Sequence, residues 1–375
     1  MARYVKRGSS WQYEISYKDA DGNFKKMRKS GFKKKSDAKI EAVEMELELN
    51  KGYNPERKNM LLSDYFEEWM ALYKKDAVSN VTYRRYEDTL SNIKKYMVLV
   101  SLSDLTRDIY QKHLNEFAQT HAPATTKRFH THLRAALLSA LDNKIILNDI
   151  TRNPVIKGFN ATKSKEEKYL NYQDFKKLIQ ACVSRLDVCY TSPYLIIVGG
   201  ATGARFAELL GLTWNDIDLD ELTIDINKSW KLKEGFAPTK NESSIRIIDI
   251  DSKTAEILGK LKSDQQEFFG KLGVENKYNL VFYNAMNGAI TSNAVNKTLK
   301  KIQESLDIYP PITFHGLRHT HASILLYEGI DIISVSERLG HKDVSITQQV
   351  YSHVLDELKK KTKPKLARSI NKIYN

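Results

Sequence analysis

The chain has 375 residues and 43.1 kDa, enough for two or three domains rather than one. Hydrophobic residues at 41% and charged residues at 28% exclude a wholly disordered protein. A net charge of +13 and a pI near 9.3 point to a polyanionic partner, most often nucleic acid. Two cysteines, Cys182 and Cys189, exclude a disulfide scaffold and are too few for a zinc finger; both read as buried small hydrophobes in a helical stretch. No signal-peptide h-region opens the sequence, and the longest apolar run, Tyr194 to Ala201, is about half a membrane span. A soluble, intracellular protein is expected.

Residues 1–40 hold twelve Lys/Arg against four acids, more than half of the net charge. Trp11, Tyr13, Ile15 and Tyr17 alternate with polar residues, and Asp19-Ala-Asp-Gly22 signals a turn into another strand. Ser36 is a cap for a helix from Asp37 to Leu49, which Lys51-Gly52 closes. The expectation is a small α+β module, a three-stranded sheet with one helix, over residues 1–57. Residues Tyr53 to Lys58 read as a linker.

From Leu62 the period turns helical, with helices near 63–76, 82–98, 104–118 and 124–143, Ser63 and Ser103 serving as caps. An all-α domain over 58–160 follows, ended by Asn153-Pro154 and the charged stretch Lys163 to Lys168. The rest, 165–375, reads as mainly helical (α+β). Asn171 caps its first helix, and an apolar helix runs from Pro193. Strands follow near 222–229 and 244–250, then helices near 253–270, 292–305, 316–328, 331–338 and 345–360. The end, Lys359 to Asn375, is a basic tail.

Four segments gather cations and imidazoles beside sharp turns. Gly203-Ala-Arg205-Phe-Ala-Glu208 places an arginine at the first turn of a helix, where backbone N–H groups favour an anion. Thr239-Lys240-Asn241-Glu242-Ser243 reads as the turn between the two strands; alone, such a lysine is usually just solvated. His315-Gly-Leu-Arg318-His319-Thr-His321 puts His315 and Arg318 on one helical face. Metal binding by these histidines is disfavoured, because no glutamate lies between His315 and His319. In the fourth segment, Gly340 presents His341, and Ser345 caps a helix carrying Tyr351, one of twenty tyrosines.

Two arginines, a lysine, two histidines and a tyrosine form an inventory for phosphoryl transfer without metal. A phenol needs a base and cations to become a nucleophile, and a lysine can protonate a leaving oxygen. Gly203-x-Arg205-x-x-Glu208-Leu with Trp214-x-Asp216-Ile217, Thr239-Lys240, His315-x-x-Arg318-His319, Leu339-Gly340-His341 and Tyr351, ten residues after His341, resemble the tyrosine recombinase (phage integrase) signatures in order. Trp11-x-Tyr13, Asp21-Gly22 and Gly31-Phe32-Lys-Lys-Lys-Ser-Asp-Ala38 are similar to the arm-DNA-binding domain of such integrases.

The resemblance implies an arm-type DNA-binding domain at 1–57, a helical core-site DNA-binding domain at 58–160, and a catalytic domain with C-terminal tail at 165–375. It implies a site-specific recombinase of a phage or integrative element, acting in the bacterial cytoplasm at the nucleoid. Arg205 and Arg318 would clamp the scissile phosphate, and Lys240 would protonate the 5′-oxygen. His315 would assist the tyrosine as base or hydrogen-bond partner, His341 would donate to a non-bridging oxygen, and Tyr351 would attack. The products would be a 3′-phosphotyrosyl link and a free 5′-OH, with a Holliday junction between the two strand exchanges. Glu208 reads as structural, and His319 as packing or hydrogen-bonding locally, outside the ring. Neither cofactor nor metal is implied.

The implied partners are double-stranded DNA at core and arm sites, a homotetramer whose tails dock on neighbours, an excisionase and a host DNA-bending protein. Lys25, Lys26, Arg28 and Lys33 are the arm-DNA candidates, against a merely solvated basic face. Two alternatives stand beside the leading reading. A type IB topoisomerase would relax DNA without site preference, which the basic arm-like module disfavours. A catalytically silent DNA-binding regulator would have no need of Tyr351.

Overall fold

The computed structural model describes residues 2–18, 22–53, 55, 57–159, 169–239, 241–286 and 288–352. The chain divides into two compact units, Met1–Thr162 and Lys163–Asn375.

The first unit begins with a three-stranded antiparallel sheet in the order β1 (Arg3–Arg7), β2 (Ser10–Lys18), β3 (Phe24–Phe32), followed by α1 (Lys35–Asn50). Strand alternation sends Tyr13 and Ile15 to one face, where they pack with Ala42, Met45 and Leu49 of α1. The same alternation puts Arg3, Glu14 and Arg28 in register on the other face. Serine capping does not hold at this helix: α1 starts at Lys35, ahead of Ser36, and has no side-chain cap.

Four helices complete the unit: α2 (Leu62–Tyr73), α3 (Asn80–Tyr96), α4 (Arg107–Ala118) and α5 (Pro123–Asp142). Their apolar stripes meet in one core that includes Phe66, Trp69, Ile93, Leu114, Phe117, Phe129 and Leu133. Two more cap expectations are corrected here. Ser63 lies inside the first turn of α2, which has no side-chain cap. Ser103 instead bonds Ser101 and Asn59, so α4 begins three residues later, capped by Thr106.

The second unit is built round α7 (Thr191–Thr202), which follows α6 (Tyr172–Val183). No charged residue occurs in α7 and nearly all of it is buried, as an apolar surface on every side requires. Glycines let its neighbours approach: a Cβ at Gly200 would lie 2.8 Å from Phe175 of α6. Asn171 caps α6 through the Asp174 N–H, as the sequence suggests. Cys182 sits in the core, whereas Cys189 lies beyond the end of α6 and is only half-buried.

After α8 (Phe206–Leu210), a three-stranded sheet forms in the order β4 (Ile217–Asp218), β5 (Thr223–Ile226), β8 (Arg246–Asp249). Between β5 and β8 stands a separate hairpin, β6 (Ser229–Lys231) and β7 (Gly235–Ala237). The expected single strand to Ser229 therefore breaks after Ile226. Lys228 there donates to Asp216 Oδ1 at 2.6 Å and Asn227 donates to the same oxygen at 3.1 Å, drawing the chain out of the sheet. The β6–β7 hairpin therefore stands between the two expected strands, which do pair as β5 and β8, and residues 241–243 lie just ahead of β8.

Helix α9 (Ser252–Leu272), a short pair β9 (Tyr283–Asn284) and β10 (Gly288–Ala289), then α10 (Ser292–Ser305), α11 (Phe314–Tyr327), α12 (Ile332–Leu339) and α13 (Val344–Val350) follow. Asp343 caps α13 in place of Ser345, accepting the Ser345 N–H at 2.7 Å. The helix expected near 345–360 ends at Val350, with Tyr351 as its C-cap rather than inside it; the stretch beyond 352 and the basic tail lie outside the described residues.

Candidate active site

Helix α7 ends at Gly203, whose φ of +66° is a left-handed turn that a side chain would strain. A Cβ there would also fall 2.8 Å from His321 and 2.9 Å from Leu339. This turn delivers Arg205 to the N-cap of α8. Glu208, one turn on, accepts from the Arg205 N–H at 3.0 Å and from its Nη1 at 2.6 Å. The guanidinium also donates to Ser244 Oγ at 3.0 Å and to the Gly340 carbonyl at 3.1 Å. Partners from three places along the chain thus fix its plane.

Glu208 is structural, as the sequence suggests, but its role is specific. It is 3% exposed and also accepts from Arg246 Nη2 at 3.1 Å. Burial alone would raise its carboxyl; Arg246 and Arg205 outweigh that and hold it below the usual range. Arg246 in turn donates to the Arg338 carbonyl at 2.6 Å and the Ser244 carbonyl at 2.7 Å. Sequence reasoning gave this second arginine no role, since it opens β8 with no motif of its own.

Arg318, on α11, donates Nη1 to the Gly203 carbonyl at 2.9 Å. Its Nη2 is buried and has no hydrogen-bond partner among the described residues. A buried donor left unmade costs roughly 1–3 kcal/mol, so such an atom calls for an explanation, and a bound anion is one that suits a guanidinium. Burial and then Arg205 pull Arg318 down to about 9, which still leaves it a cation at neutral pH. A full positive charge with a free N–H therefore sits within the protein, close enough to Arg205 to feel its field.

His315 is one turn earlier on α11, with an exposed outer edge. Crowding by protein atoms, then Arg318 and Arg205, lower it below its ordinary value. His341 follows Gly340, another left-handed glycine at φ +66° whose Cβ would meet the Ser243 carbonyl at 2.9 Å. Its Nδ1 bonds Thr347 Oγ1 at 2.6 Å, and burial, Arg318 and Arg205 bring it to about 4. Both rings are neutral at pH 7.

Tyr351 closes α13 and is 2% exposed. Burial pushes its phenol well above the ordinary value, with Arg318 opposing. The hydroxyl lies 3.0 Å from His319 Nδ1, in a hydrogen bond. His319 thus hydrogen-bonds, but to a partner 32 residues away rather than a local one: α11 carries it onto the face that meets the chain after α13. The ring of His315 stands edge-on to that of His319, 4.9 Å between centroids. Lys240 lies outside the described residues; beside it, Thr239 Oγ1 donates to the Asn241 carbonyl at 3.0 Å.

The third histidine of the cluster has a structural role. His321 Nδ1 donates to the Gly200 carbonyl at 2.9 Å and its Nε2 accepts from Arg338 Nε at 3.0 Å. That pattern fixes the neutral tautomer. Burial first, then Arg338, bring it to about 3.

A pH dependence follows. The unfolded chain binds protons on His321 and His341 near the ordinary 6.5, before the folded chain does. Stability is therefore complete above about 6.5 and is lost as pH falls from there towards 4. His132 of the first unit, brought to about 4 by burial and then Arg128, adds to the effect. A melting temperature that declines between pH 7 and 5, where carboxylates of ordinary acidity remain ionised, is the expected result. A flat profile over that window would contradict it.

Of the arm-DNA candidates, Lys26 and Arg28 share the face opposite α1 with Glu14, at 3.1 and 2.5 Å from its carboxylate oxygens. Their pairing, Arg28 first, holds Glu14 below its usual range. By register Lys25 opposes Tyr17 on the other face, and Lys33 follows the end of β3. The four therefore do not form one surface.

A mainly helical unit that gathers two arginines, histidines and a buried tyrosine round a free N–H defines an enzyme of phosphate-ester chemistry. The phage integrase family model matches residues 168–357, about half of the chain, and the protein belongs to that family. An arm DNA-binding domain model matches residues 2–49, and a phage integrase N-terminal SAM-like domain model matches 61–118. The ICEBs1 integrase of Bacillus subtilis is 26% identical over 333 residues, 87% of this chain and 89% of its own. The integrase of Staphylococcus phage L54a is 28% identical over 344 residues, 86% and 97% of the two chains. In fold, the chain is similar to the Tn1549 transposon integrase solved with transposon right-end DNA. That likeness has a TM-score of 0.67 at 17% identity, over 81% of this chain and 99% of the other.

Proposed function

We propose that this protein is the integrase of a phage or integrative element, a site-specific recombinase that breaks and rejoins double-stranded DNA without metal. The observation that carries the reading is Arg318, whose buried Nη2 has no partner among the described residues and which lies within the fields of both Arg205 and Tyr351. A non-bridging phosphate oxygen satisfies that donor, and the two forks together neutralise charge that grows in the transition state.

Tyr351 Oη attacks phosphorus, the P–O5′ bond breaks, and the 3′-phosphate stays on the tyrosine. The leaving 5′-oxygen takes a proton, for which Lys240 is the donor. His341 and His315 donate to non-bridging oxygens. The phosphodiester energy is held in the phosphotyrosyl bond, so the free 5′-OH of the partner strand rejoins without ATP. Exchange of one strand pair and then the other passes through a Holliday junction in a homotetramer, with an excisionase and a host DNA-bending protein setting direction.

Residues 1–57 are assigned to arm-site DNA, 58–160 to the core site, and 165–375 to catalysis. The open sheet face supports the first assignment, since it carries Arg3, Lys26 and Arg28 in adjacent register. Lys26→Ala and Arg28→Ala should each weaken arm-DNA binding and lower the slope of log K against log salt by about one. An unchanged slope in both would remove the sheet from the interface.

The reading as a whole is tested with DNA flanking the protein's own gene. Cleavage at one discrete position in EDTA supports a recombinase. Relaxation of any supercoiled plasmid with no preferred position would instead indicate a topoisomerase. Tight binding with no cleavage of either substrate would indicate a regulator.

A further inference from the structure

Resting on the recombinase reading, we propose that His319 is a catalytic residue: it takes the proton from Tyr351 during cleavage and returns it during rejoining. The hydroxyl of Tyr351 is the reacting group, and the hydrogen bond to His319 Nδ1 at 3.0 Å is the contact the structure gives it. Tyr351 is 2% exposed, so bulk water is poorly placed to receive the proton. A phenol buried in this way does not ionise unaided at neutral pH.

His315 sits differently. Its field comes from Arg318 and Arg205, the two phosphate-binding cations, and its outer edge is open. His319 lies one helical turn further along α11, on the tyrosine side, with the His315 ring against it. The two imidazoles thus divide the work by position, one beside the phosphate and one beside the nucleophile. Among the described residues, the charged and titratable groups whose fields reach these histidines include Arg318 and His315 on α11, Arg205 before α8, His341 after α12, and Tyr351 after α13.

The step balances. The Oη–H bond breaks, its electron pair stays on oxygen and attacks phosphorus, and a new N–H bond forms at Nδ1. His319 then carries one positive charge beside a phosphorane that has gained one negative charge. In rejoining, the 5′-hydroxyl gives its proton back to the leaving-group acid, Lys240 in the proposed function, as its oxygen attacks phosphorus; the P–Oη bond breaks, and the imidazolium proton returns to Oη.

The test uses the full chain, a nicked labelled duplex from the DNA flanking its gene, and His319→Gln beside His319→Ala. Gln keeps an oxygen able to accept the hydroxyl hydrogen bond yet takes no proton at working pH. Both variants should bind the duplex normally and lose about 10²- to 10⁴-fold in cleavage rate, the range of general-base catalysis. In His319→Gln the residual rate should rise with pH. Replacing Tyr351 with a ring-fluorinated, more acidic tyrosine should restore at least tenfold in that background and little in the native one.

A His319→Gln rate within threefold of native, or a loss that neither pH nor the acidic phenol relieves, would overturn the base role. Should both variants fail to fold, the native chain still decides. With His319 as base, native and fluorinated proteins share one pH profile; a profile that follows the acidity of the phenol overturns the proposal. Tyr351→Phe run alongside separates the two levels: cleavage by that variant would sink the recombinase reading itself.

Discussion

Tyr351→Phe is expected to bind its DNA as the native protein does and to form no detectable covalent complex. The substitution deletes one oxygen from a ring that is already 2% exposed, so the shape of the packing against Leu339 and Val350 is retained. What changes locally is that His319 loses its contact with the phenol, a cost of roughly 1–3 kcal/mol. That predicts a melting temperature lower by a few degrees and an intact fold. Catalytically nothing replaces the lost oxygen, because covalent transfer requires an atom that bonds phosphorus. Filter binding and denaturing gels on the same samples separate the two effects. A covalent band at native intensity would mean that another residue is the nucleophile.

The second large effect is at Arg318. Replacement by Ala removes the unpartnered Nη2 and also strands the Gly203 carbonyl, which its Nη1 holds at 2.9 Å. Since Gly203 sets the turn into Arg205, both forks of the clamp should suffer. We expect at least 10³-fold loss of cleavage, beyond the cost of one oxyanion donor. Arg318→Lys distinguishes charge from geometry. An ammonium keeps the charge but is a point donor on a flexible stem, without the rigid fork that spans a carbonyl and a phosphate together. Lys should therefore recover little of the lost rate. Cleavage within tenfold of native by Arg318→Lys, in single-turnover assays, would show that the fork is unnecessary and remove that reading of the free N–H.

Much of the architecture was legible in the sequence because it is written in local periods. Helix α10 begins and ends where its apolar spacing says, at Ser292 and Ser305, and the uncharged α7 announces itself as the buried centre. Turn glycines were equally readable, since Gly203 and Gly340 both need the left-handed conformation that few other residues adopt. What escaped depends on contacts between distant residues. Lys228 leaves the strand because Asp216 lies across from it, and nothing in the alternation of residues 222–229 shows that carboxylate.

The same limit applies at the site. Arg205, Arg318, His341 and Tyr351 stood out by motif, and the structure brings them into one cluster. His319 did not, because its partner is 32 residues away and no helical period links α11 to the chain after α13. A histidine next to an arginine on a buried helix looks the same from sequence whether it packs or reacts. Arg246 was hidden for a like reason: its meaning lies in Glu208, which reads as structural without a named partner until both arginines are placed around it. On the sheet module, four basic residues looked equivalent, and only strand register divides Lys25 from Lys26 and Arg28 while Lys33 falls beyond the strand.

The central claim is that Tyr351 becomes joined to a 3′-phosphate without metal. The most direct measurement traps the adduct on nicked flanking DNA in EDTA, digests protein and DNA, and sequences the modified peptide by mass spectrometry. The account predicts one nucleotide-bearing residue, Tyr351, linked through the 3′-phosphate, with the 5′-hydroxyl free on the other fragment. An adduct on a different residue, a 5′ linkage, or an adduct that forms only when magnesium is restored would contradict it.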